Sequence, residues 1–193
     1  MFNATGIYWK ANEPVTIDNG YTLKLINNYG MYTLYCNNTF TNDGKVIIDN
    51  YGALGLNYTS INTGTIDIIN GYLGLYGNAI LNNTGTITLT DSSYIYIYSA
   101  TLTNTDTIDI SNITDLSEWY NNGTFKLEGG STFILPKSIT NKINTSNWKK
   151  PITLSGTKDN PVIFKTPYTI TTPSNNITLS KMYNSLTDIT TKT

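Results

Sequence analysis

A five-residue phrase recurs five times in the middle of the chain at near-constant spacing. It reads Asn-x-Gly-Thr-Ile or a close variant, and its copies start 20, 21, 21 and 17 residues apart, at Asn42, Asn62, Asn83, Asn104 and Asn121. A fixed period in this range is typical of a solenoid, in which each coil buries its apolar face only against the neighbouring coils. The sequence therefore constrains the architecture more tightly than the function.

Each repeat contains three short apolar segments bounded by Gly, Asn, Asp or Ser, and no stretch shows helical periodicity. The expected first segments are residues 46–48, 66–68, 87–89, 108–110 and 125–127; the second are 54–56, 73–75, 95–97 and 133–135; the third contribute Phe40, Ile61, Ile80 with Leu81, Leu102 and Ile139. Alternation sends the outer two residues of each first segment to one face. The pattern predicts an all-β fold, a parallel β-helix (β-solenoid) with about three short strands per coil of roughly 20 residues.

The recurring phrase has the chemistry of a corner between strands. We predict that Asn42, Asn62, Asn83, Asn104 and Asn121 form a ladder in which each side-chain amide hydrogen-bonds to the next coil. The Gly two residues later is expected to supply the positive φ of a sharp corner. Asp106 replaces that Gly once, and Asp enters the left-handed region more readily than most residues.

The repeats suggest three parts of the chain. Residues 1–19 are expected to cap the open end of the stack, because an uncapped coil exposes a row of strand edges. Residues 20–140 are expected to form the coils. Residues 141–193 read as a β-rich C-terminal segment, either terminal coils or a linking and assembly region, because prolines punctuate it.

These coils resemble the right-handed parallel β-helix superfamily, the pectin-lyase-like fold of polysaccharide lyases, phage tailspikes and adhesin-like repeat proteins. The resemblance covers roughly residues 20–140, and residues 156–164 look like a turn-and-strand phrase common in that superfamily. It implies the coil and an adhesin-like or virion-fibre type of repeat protein, but no activity. The closest rival is a leucine-rich repeat; it is disfavoured because Thr59 and Ala100 stand where that family places Asn.

Composition argues against several functional classes. The twelve cationic residues are all Lys, thirteen residues are acidic, and the chain has no Arg and no His. Without a basic field or Arg there is little to hold a polyanion or read base edges, so we expect no nucleic-acid partner. Without His, the commonest general base and zinc ligand is missing. We expect no metal and no cofactor, and we interpret Cys36 as a small buried hydrophobe.

The chain has the polar composition of a protein that works outside cells. It starts without the basic and apolar stretches of a secretory signal, and no apolar run is long enough to span a membrane. We expect an extracellular location, in a virion or on a cell surface. Eight Asn-x-Ser/Thr sequons permit glycosylation, at Asn3, Asn37, Asn57, Asn82, Asn112, Asn122, Asn144 and Asn176.

Two acidic residues are the strongest catalytic candidates. Asp67 and Asp109 are expected in one outward column, Ile47, Asp67, Thr88, Asp109 and Lys126. At the spacing of neighbouring strands they would lie about 9–10 Å apart, at the upper edge of the range for inverting glycosidases. The column offers no cluster of carboxylates and no second polar layer, so we predict solvated surface residues and no catalytic site.

Tyrosines provide the better candidate for a contact surface. Tyr72, Tyr76, Tyr94, Tyr96 and Tyr98 fall on or beside the expected second strands and predict an aromatic strip on one face. Such rings can stack on sugars or be buried in a protein contact. The structural alternative is that they pack against one another and stiffen the sheet.

The resulting expectation is a non-enzymatic, structural or adhesive β-solenoid in an extracellular assembly, a virion or a cell-surface filament. Its expected partners are copies of itself or other subunits of that assembly. The alternative is a glycan-binding or glycan-cleaving spike of the tailspike type, which would use the tyrosines or the Asp67 and Asp109 pair.

Overall fold

The computed structural model describes residues 2–5, 9–27, 33–136, 144 and 146–165. All helical or strand elements in these ranges are β-strands, and none is a helix. Coils one to three comprise β1 (Phe2–Thr5), β2 (Trp9–Ala11), β3 (Val15–Ile17), β4 (Thr22–Ile26), β5 (Leu34–Cys36), β6 (Phe40–Asn42), β7 (Lys45–Asp49), β8 (Ala53–Leu56) and β9 (Ser60–Asn62). Coils four to six comprise β10 (Thr65–Ile69), β11 (Tyr72–Tyr76), β12 (Ile80–Asn83), β13 (Thr86–Asp91), β14 (Tyr94–Tyr98), β15 (Thr101–Asn104), β16 (Thr107–Ile113), β17 (Tyr120–Asn121) and β18 (Thr124–Glu128). Three further strands follow: β19 (Thr132–Ile134), β20 (Ile152–Ser155) and β21 (Ile163–Lys165).

The strands form three parallel sheets that run along the stack. Sheet A has the order β1-β4-β7-β10-β13-β16-β19-β21, sheet B the order β17-β14-β11-β8-β5-β2, and sheet C the order β20-β18-β15-β12-β9-β6-β3. Each strand pairs with its counterpart one coil away. The predicted fold class is confirmed: the chain is an all-β parallel β-solenoid with about 22 residues per turn.

The stack extends past both predicted boundaries of the coil region. Residues 1–19, expected to be a cap, contain β1, β2 and β3, which pair in parallel with the strands of the second coil. Near the other end, β20 pairs with β18 and β21 pairs with β19. The part of the expected C-terminal segment that the structure describes therefore contributes strands to sheets A and C; residues 166–193 lie outside the described residues.

Stacked columns of apolar side chains fill the interior. In sheet B, for example, Leu34, Leu54, Leu73 and Ile95 follow one another in register and are all buried. Towards the C-terminal end the core becomes aromatic, with Trp119, Phe125, Phe133 and Trp148 buried and their rings in contact. A long strip of equivalent contacts stabilises the whole stack, since no coil has a core of its own.

Asparagine side chains form the predicted ladder through four coils. Asn42 Nδ2 donates to Asn62 Oδ1, Asn62 Nδ2 to Asn83 Oδ1, and Asn83 Nδ2 to Asn104 Oδ1, each at 2.6 Å. All four residues are fully buried. Asn62, Asn83 and Asn104 also donate to the main-chain oxygen two residues later, as Asn83 Nδ2 does to Gly85 O at 2.8 Å, whereas Asn42 Nδ2 donates to Thr65 O of the next coil at 3.1 Å. The ladder is thus an internal polar column in sheet C.

The prediction for Asn121 is wrong, because this residue lies in sheet B. It pairs with Ile97 in β14, its Nδ2 donates to Lys150 O at 2.7 Å, and it has no place in the ladder. The spacing of 17 residues is too short to return to sheet C. Beyond Asn104 the buried column of the ladder continues through Leu127 and Leu154. Residues 125–127, predicted as a first segment, therefore belong to sheet C, and the segment that follows, residues 132–134, belongs to sheet A.

The corner glycines serve a different purpose from the one predicted. The positive-φ glycines among the described residues are Gly20, Gly77 and Gly130, not those of the phrase. A Cβ on Gly64 would clash with the carbonyl oxygen of Gly44, and one on Gly85 with that of Gly64. Glycine is required because successive corners approach closely.

Asp106 shows what a side chain does at this corner. The bonds from Thr65 N to Gly44 O and from Thr86 N to Gly64 O measure 3.0 and 2.9 Å, but that from Thr107 N to Gly85 O, beside Asp106, measures 3.4 Å. Asp106 does not have a positive φ. The extra atoms are accommodated by a wider step between the coils, not by a left-handed backbone.

Two residues of the third segments that were predicted to point inward, Ile61 and Ile80, point outward instead. In β9 the buried residue is Ser60, and Ile61 is 41% exposed; in β12 Leu81 is buried and Ile80 is 38% exposed. The register is set by the ladder, since Asn62 must point inward and Ser60 lies two residues before it. The alternation that starts from Asn62 therefore decides that Ser60 points inward, although Ile61 is more hydrophobic. Ile139 lies outside the described residues.

We expect Asn83→Ala to destabilise the fold strongly. The substitution leaves the buried Asn62 without its acceptor and Asn104 without its donor, and each unsatisfied group costs about 1–3 kcal/mol. Asn82→Ala is the matched control, because the neighbouring side chain points outward and is half-buried. Urea unfolding of both variants measures the difference. Equal losses would contradict the structural role of the ladder.

Burial makes the Cys36 thiol unreactive in the folded state. The side chain is fully buried and desolvation raises its pKa to about 12. The native protein should resist thiol-labelling reagents at pH 8 and become labelled only when it unfolds.

Burial of the Cys36 thiol should also make the stability of the fold depend on pH. Because the folded pKa of Cys36 lies above the unfolded value of 9.0, the contribution of this thiol to stability is complete below pH 9 and is lost as pH rises from there. Cys36→Ala should flatten that part of the stability profile; an unchanged profile would refute the linkage.

Candidate functional site

The five predicted tyrosines all lie on the outer face of sheet B. In β11, Leu73 and Leu75 point inward between Tyr72 and Tyr76; in β14, Ile95 and Ile97 point inward in the same way. The parallel register places Tyr72 beside Tyr94, and Tyr76 beside Tyr98. The structure separates the five residues into two groups with different surroundings.

The first group is larger than predicted, and we call it the tyrosine strip. Tyr76, Tyr96 and Tyr98 are joined by Tyr35 from β5 and Tyr120 from β17. Ring centroids are 6.1 Å apart for Tyr35 and Tyr76, 5.5 Å for Tyr76 and Tyr96, and 4.4 Å for Tyr96 and Tyr120. Tyr98 lies 6.2 Å from Tyr120 and is the most exposed, at 47%. The strip spans strands from the second to the sixth coil.

Glycine makes the strip continuous. The outward positions between Tyr35 and Tyr96 in this column are Gly55 and Gly74. The Tyr76 ring lies over Gly74, where the three atoms nearest to an added Cβ all belong to that ring. Because Gly74 carries no side chain, the Tyr76 ring can lie flat over it on the outer face of the sheet and contact both Tyr35 and Tyr96.

The second group lies at the corner between sheets A and B, and we call it the corner pocket. Tyr72 and Tyr94 stack with centroids 4.9 Å apart and planes within 6° of parallel. With Tyr51, Asn70, Ser92 and Glu118 they line a cavity of about 200 Å³. Tyr51 has a positive φ of 64° and is 55% exposed. The pocket thus combines three aromatic rings with a carboxylate.

Sequence reasoning missed Tyr35, Tyr51 and Tyr120. Tyr35 occurs in a segment that pairs with Leu54-Gly55-Leu56, so an alignment of the second strands, extended upstream, contained its position. Tyr120 was missed because its neighbour Asn121 was predicted in the ladder column, whereas both residues lie in sheet B. Tyr51 follows Asn50 in a turn where both residues have positive φ, a conformation for which a bulky residue gives no sequence signal.

The two catalytic candidates lie in the predicted column but have local partners. Asp67 and Asp109 are both paired with Thr88, in β10, β16 and the intervening β13. Asp67 Oδ2 is 2.7 Å from Lys45 Nζ, and Asp109 Oδ1 accepts a hydrogen bond from Ser111 N at 2.8 Å. Lys126 is not in this column: it lies in sheet C beside Thr103, and its Nζ is 2.5 Å from Glu128 Oε1.

The sequons differ in how accessible their asparagines are. Asn112 and Asn144 are exposed, whereas Asn82 and Asn122 are half-buried. Asn37 and Asn57 form part of a second, outer ladder: Asn57 Nδ2 donates to Asn37 Oδ1 at 3.1 Å, and Asn37 Nδ2 to Asn12 Oδ1 at 3.5 Å. The side chains of Asn3 and Asn176 lie outside the described residues. Glycosylation stays a prediction, and the exposed sites favour it most.

The described ranges contain no group of three or more Cys, Asp or Glu side chains arranged to hold a metal ion. Within the same ranges, no helix has the length and apolar character needed to cross a membrane. No family model, curated protein or solved structure matches the chain.

We expect Gly74→Ala to destabilise the protein only when Tyr76 is present. The added methyl group would collide with the Tyr76 ring, and overpacking of this kind costs about 1–3 kcal/mol. In a Tyr76→Ala background the same change should be nearly neutral, since the nearest atoms are gone. A double-mutant cycle by urea unfolding measures the coupling. Equal costs in the two backgrounds would show that Tyr76 does not cover Gly74.

Proposed function

We propose that this protein is a non-enzymatic, structural or adhesive component of an extracellular assembly, either a virion or a cell-surface filament. In this proposal it acts through self-association and contacts with other subunits, as an adhesin-like or virion-fibre member of the right-handed, pectin-lyase-like β-helices. The tyrosine strip is its main contact surface. That strip, held on a stack of equivalent coils, is the observation that carries the proposal.

The strip is well suited to a protein contact. Tyrosine offers a large rigid area with a polar tip and loses little conformational entropy on binding. Here the rings are already ordered by their neighbours, as the 4.4 Å separation of Tyr96 and Tyr120 indicates. Pre-organisation of this kind lowers the entropic cost of association. The scaffold supports it by fixing the spacing of successive rings.

The acidic residues support a non-enzymatic reading. Asp67 forms an ion pair with Lys45, and Asp109 closes a local turn at Ser111. A pair of catalytic carboxylates would instead need environments that separate their roles as acid and base. Both side chains are half-buried and already have partners in sheet A, an arrangement that matches stabilisation of the sheet.

Glycan binding at the same strip is the second candidate. The stacked rings cover much of one another's faces, so a pyranose ring would lie on the face that an end ring leaves open and against the outward ring edges and hydroxyl groups. Tyr98, the most exposed member, and its neighbour Tyr120 would be the primary contacts. This candidate requires no self-association, so the two functions predict different behaviour of one variant.

We expect the combined substitution of Tyr96→Ala and Tyr120→Ala to weaken self-association by about tenfold or more, because each aromatic stack contributes about 0.5–1.5 kcal/mol beyond its buried area. Analytical ultracentrifugation over a concentration series, with electron microscopy of the particles, measures the loss. Ile61→Ala is the matched control, since it removes an exposed apolar side chain from sheet C. Circular dichroism checks that each variant keeps the fold.

A glycan array with the same three proteins separates the two candidates. Glycan binding by a monomeric wild-type protein, lost in the double variant, favours the second candidate. Assembly that persists unchanged in the double variant would overturn the role of the strip in self-association. A wild-type protein that neither assembles nor binds a subunit or glycan would overturn both.

A further inference from the structure

The corner pocket has a composition that the tyrosine strip lacks. Its lining brings together the rings of Tyr51, Tyr72 and Tyr94 with the carboxylate of Glu118. Glu118 is the one charged residue in the lining, and it takes part in none of the ion pairs formed among the described residues. A site with aromatic rings and a net negative charge favours a cation.

The size of the cavity limits what can enter. At about 200 Å³ it lies below the range of about 300–1,000 Å³ typical of pockets for drug-sized ligands. An oligosaccharide or a folded peptide segment would contact it only at the rim. A compact group, such as one ammonium centre with its substituents, matches the volume.

The aromatic lining selects among cations. A primary ammonium is strongly hydrated and needs several acceptors when it leaves water. A trimethylammonium group has no N–H to satisfy, and its methyl groups can contact the apolar surfaces of the rings while its charge is attracted by them. Asn70 and Ser92 leave a polar rim for the rest of the ligand.

The backbone at Tyr51 is the second indication that this corner has a purpose. Asn50 and Tyr51 have φ values of 48° and 64°, in a turn closed by Gly52 N donating to Asp49 O at 2.9 Å. Two consecutive left-handed residues favour Asn-Gly, not Asn-Tyr. The corner in the next coil is one residue shorter, with only Asn70 and Gly71 between the partners of Asp49 and Ala53, so Tyr51 is an extra residue at this corner. The chain tolerates strain at the one position that adds a third ring to the pocket, and stored strain of this kind clusters at binding sites.

We propose that the corner pocket binds a trimethylammonium group. Tyr72 and Tyr94 cover one face of each other at a centroid distance of 4.9 Å. The ring faces that this stack leaves open supply the cation–π attraction, the ring surfaces of Tyr51, Tyr72 and Tyr94 contact the methyl groups, and Glu118 supplies the opposite charge. Binding at this site does not depend on the tyrosine strip, so the proposal stands or falls separately from the function proposed above. The group can belong to a free cation such as choline or to a phosphocholine head group, which share this chemistry.

Titration of the full chain with tetramethylammonium chloride, followed by NMR of backbone amides, tests the site. We expect saturable shifts centred on Gly71, Ser92 and Glu118, with a dissociation constant of the order of 1 mM, as suits a very small ligand. Tyr94→Leu should weaken binding about tenfold and Tyr94→Phe much less. Glu118→Gln should weaken it about threefold. Tyr58→Leu, at an exposed tyrosine outside both the strip and the pocket, is the control and should leave tetramethylammonium binding unchanged.

Tyr51→Gly gives a test that misfolding cannot mimic. The change relieves the left-handed strain, so the midpoint of unfolding should stay constant or rise while binding falls several-fold. A variant that gains stability and keeps full affinity would overturn the role assigned to Tyr51.

Three probes of related shape decide the chemical class. Binding of the neutral isostere 3,3-dimethyl-1-butanol as tight as that of choline would overturn the proposal, because the pocket would then be merely apolar. Tighter binding of n-butylammonium, a primary ammonium, would also overturn it, as would the lack of any saturable shift up to about 20 mM tetramethylammonium. If choline binds more tightly than phosphocholine, the source is a free cation; the reverse order assigns it to a head group, and both results support the trimethylammonium site.

Discussion

In-register parallel stacking of coil on coil is the constraint on which the rest of this structure depends. Because every strand pairs with its counterpart one turn away, each inward position of one coil lies directly on the same position of the next. Leucine and isoleucine satisfy this rule by simple contact. Asparagine satisfies it by hydrogen-bonding to the asparagine of a neighbouring coil, since all four ladder amides are fully buried, and the column has Ile17 and Leu127 as apolar neighbours at its two ends. The ladder is therefore a collective feature of coils two to five, and it ends where Leu127 takes over the column.

The same register decides how far local sequence could predict the fold. The recurring phrase was enough to predict the period, the strand content and the first four ladder residues. Each copy contains both the residues that form the corner and the Asn that enters the buried column. It misleads at Asn121, where the same turn chemistry joins sheet B to sheet C after only 17 residues. A turn motif specifies how the chain bends, but the number of residues before it decides which sheet it leaves. Ser60 and Ile61 illustrate the same limit within one strand, since alternation from Asn62 outweighs hydrophobicity.

Other features depend on distances between coils and are invisible in a one-dimensional pattern. The corner glycines are explained by the approach of one main chain to the carbonyl of the previous coil, not by their own φ angles. Gly74 likewise matters because the ring of Tyr76 needs its surface. Tyr35 and Tyr120 join the strip across coils that are separated by many residues in sequence but are near neighbours along sheet B. The sequence could predict that tyrosines face outward; it could not predict which of them touch.

The separation of the five expected tyrosines into two groups follows from where along each strand they lie. Tyr72 and Tyr94 begin their strands next to the corner with sheet A, so residues of that corner, including Tyr51 and Glu118, can approach them and form a half-open pocket. Tyr76, Tyr96 and Tyr98 lie further along the same strands, where their rings contact other outward tyrosines of sheet B and form an open surface. A small, half-open concave site with a carboxylate in its lining suits a small charged group, whereas an open row of rings suits a broad partner. One strand pattern, repeated in register, thus produces two surfaces with different physical requirements for what binds them.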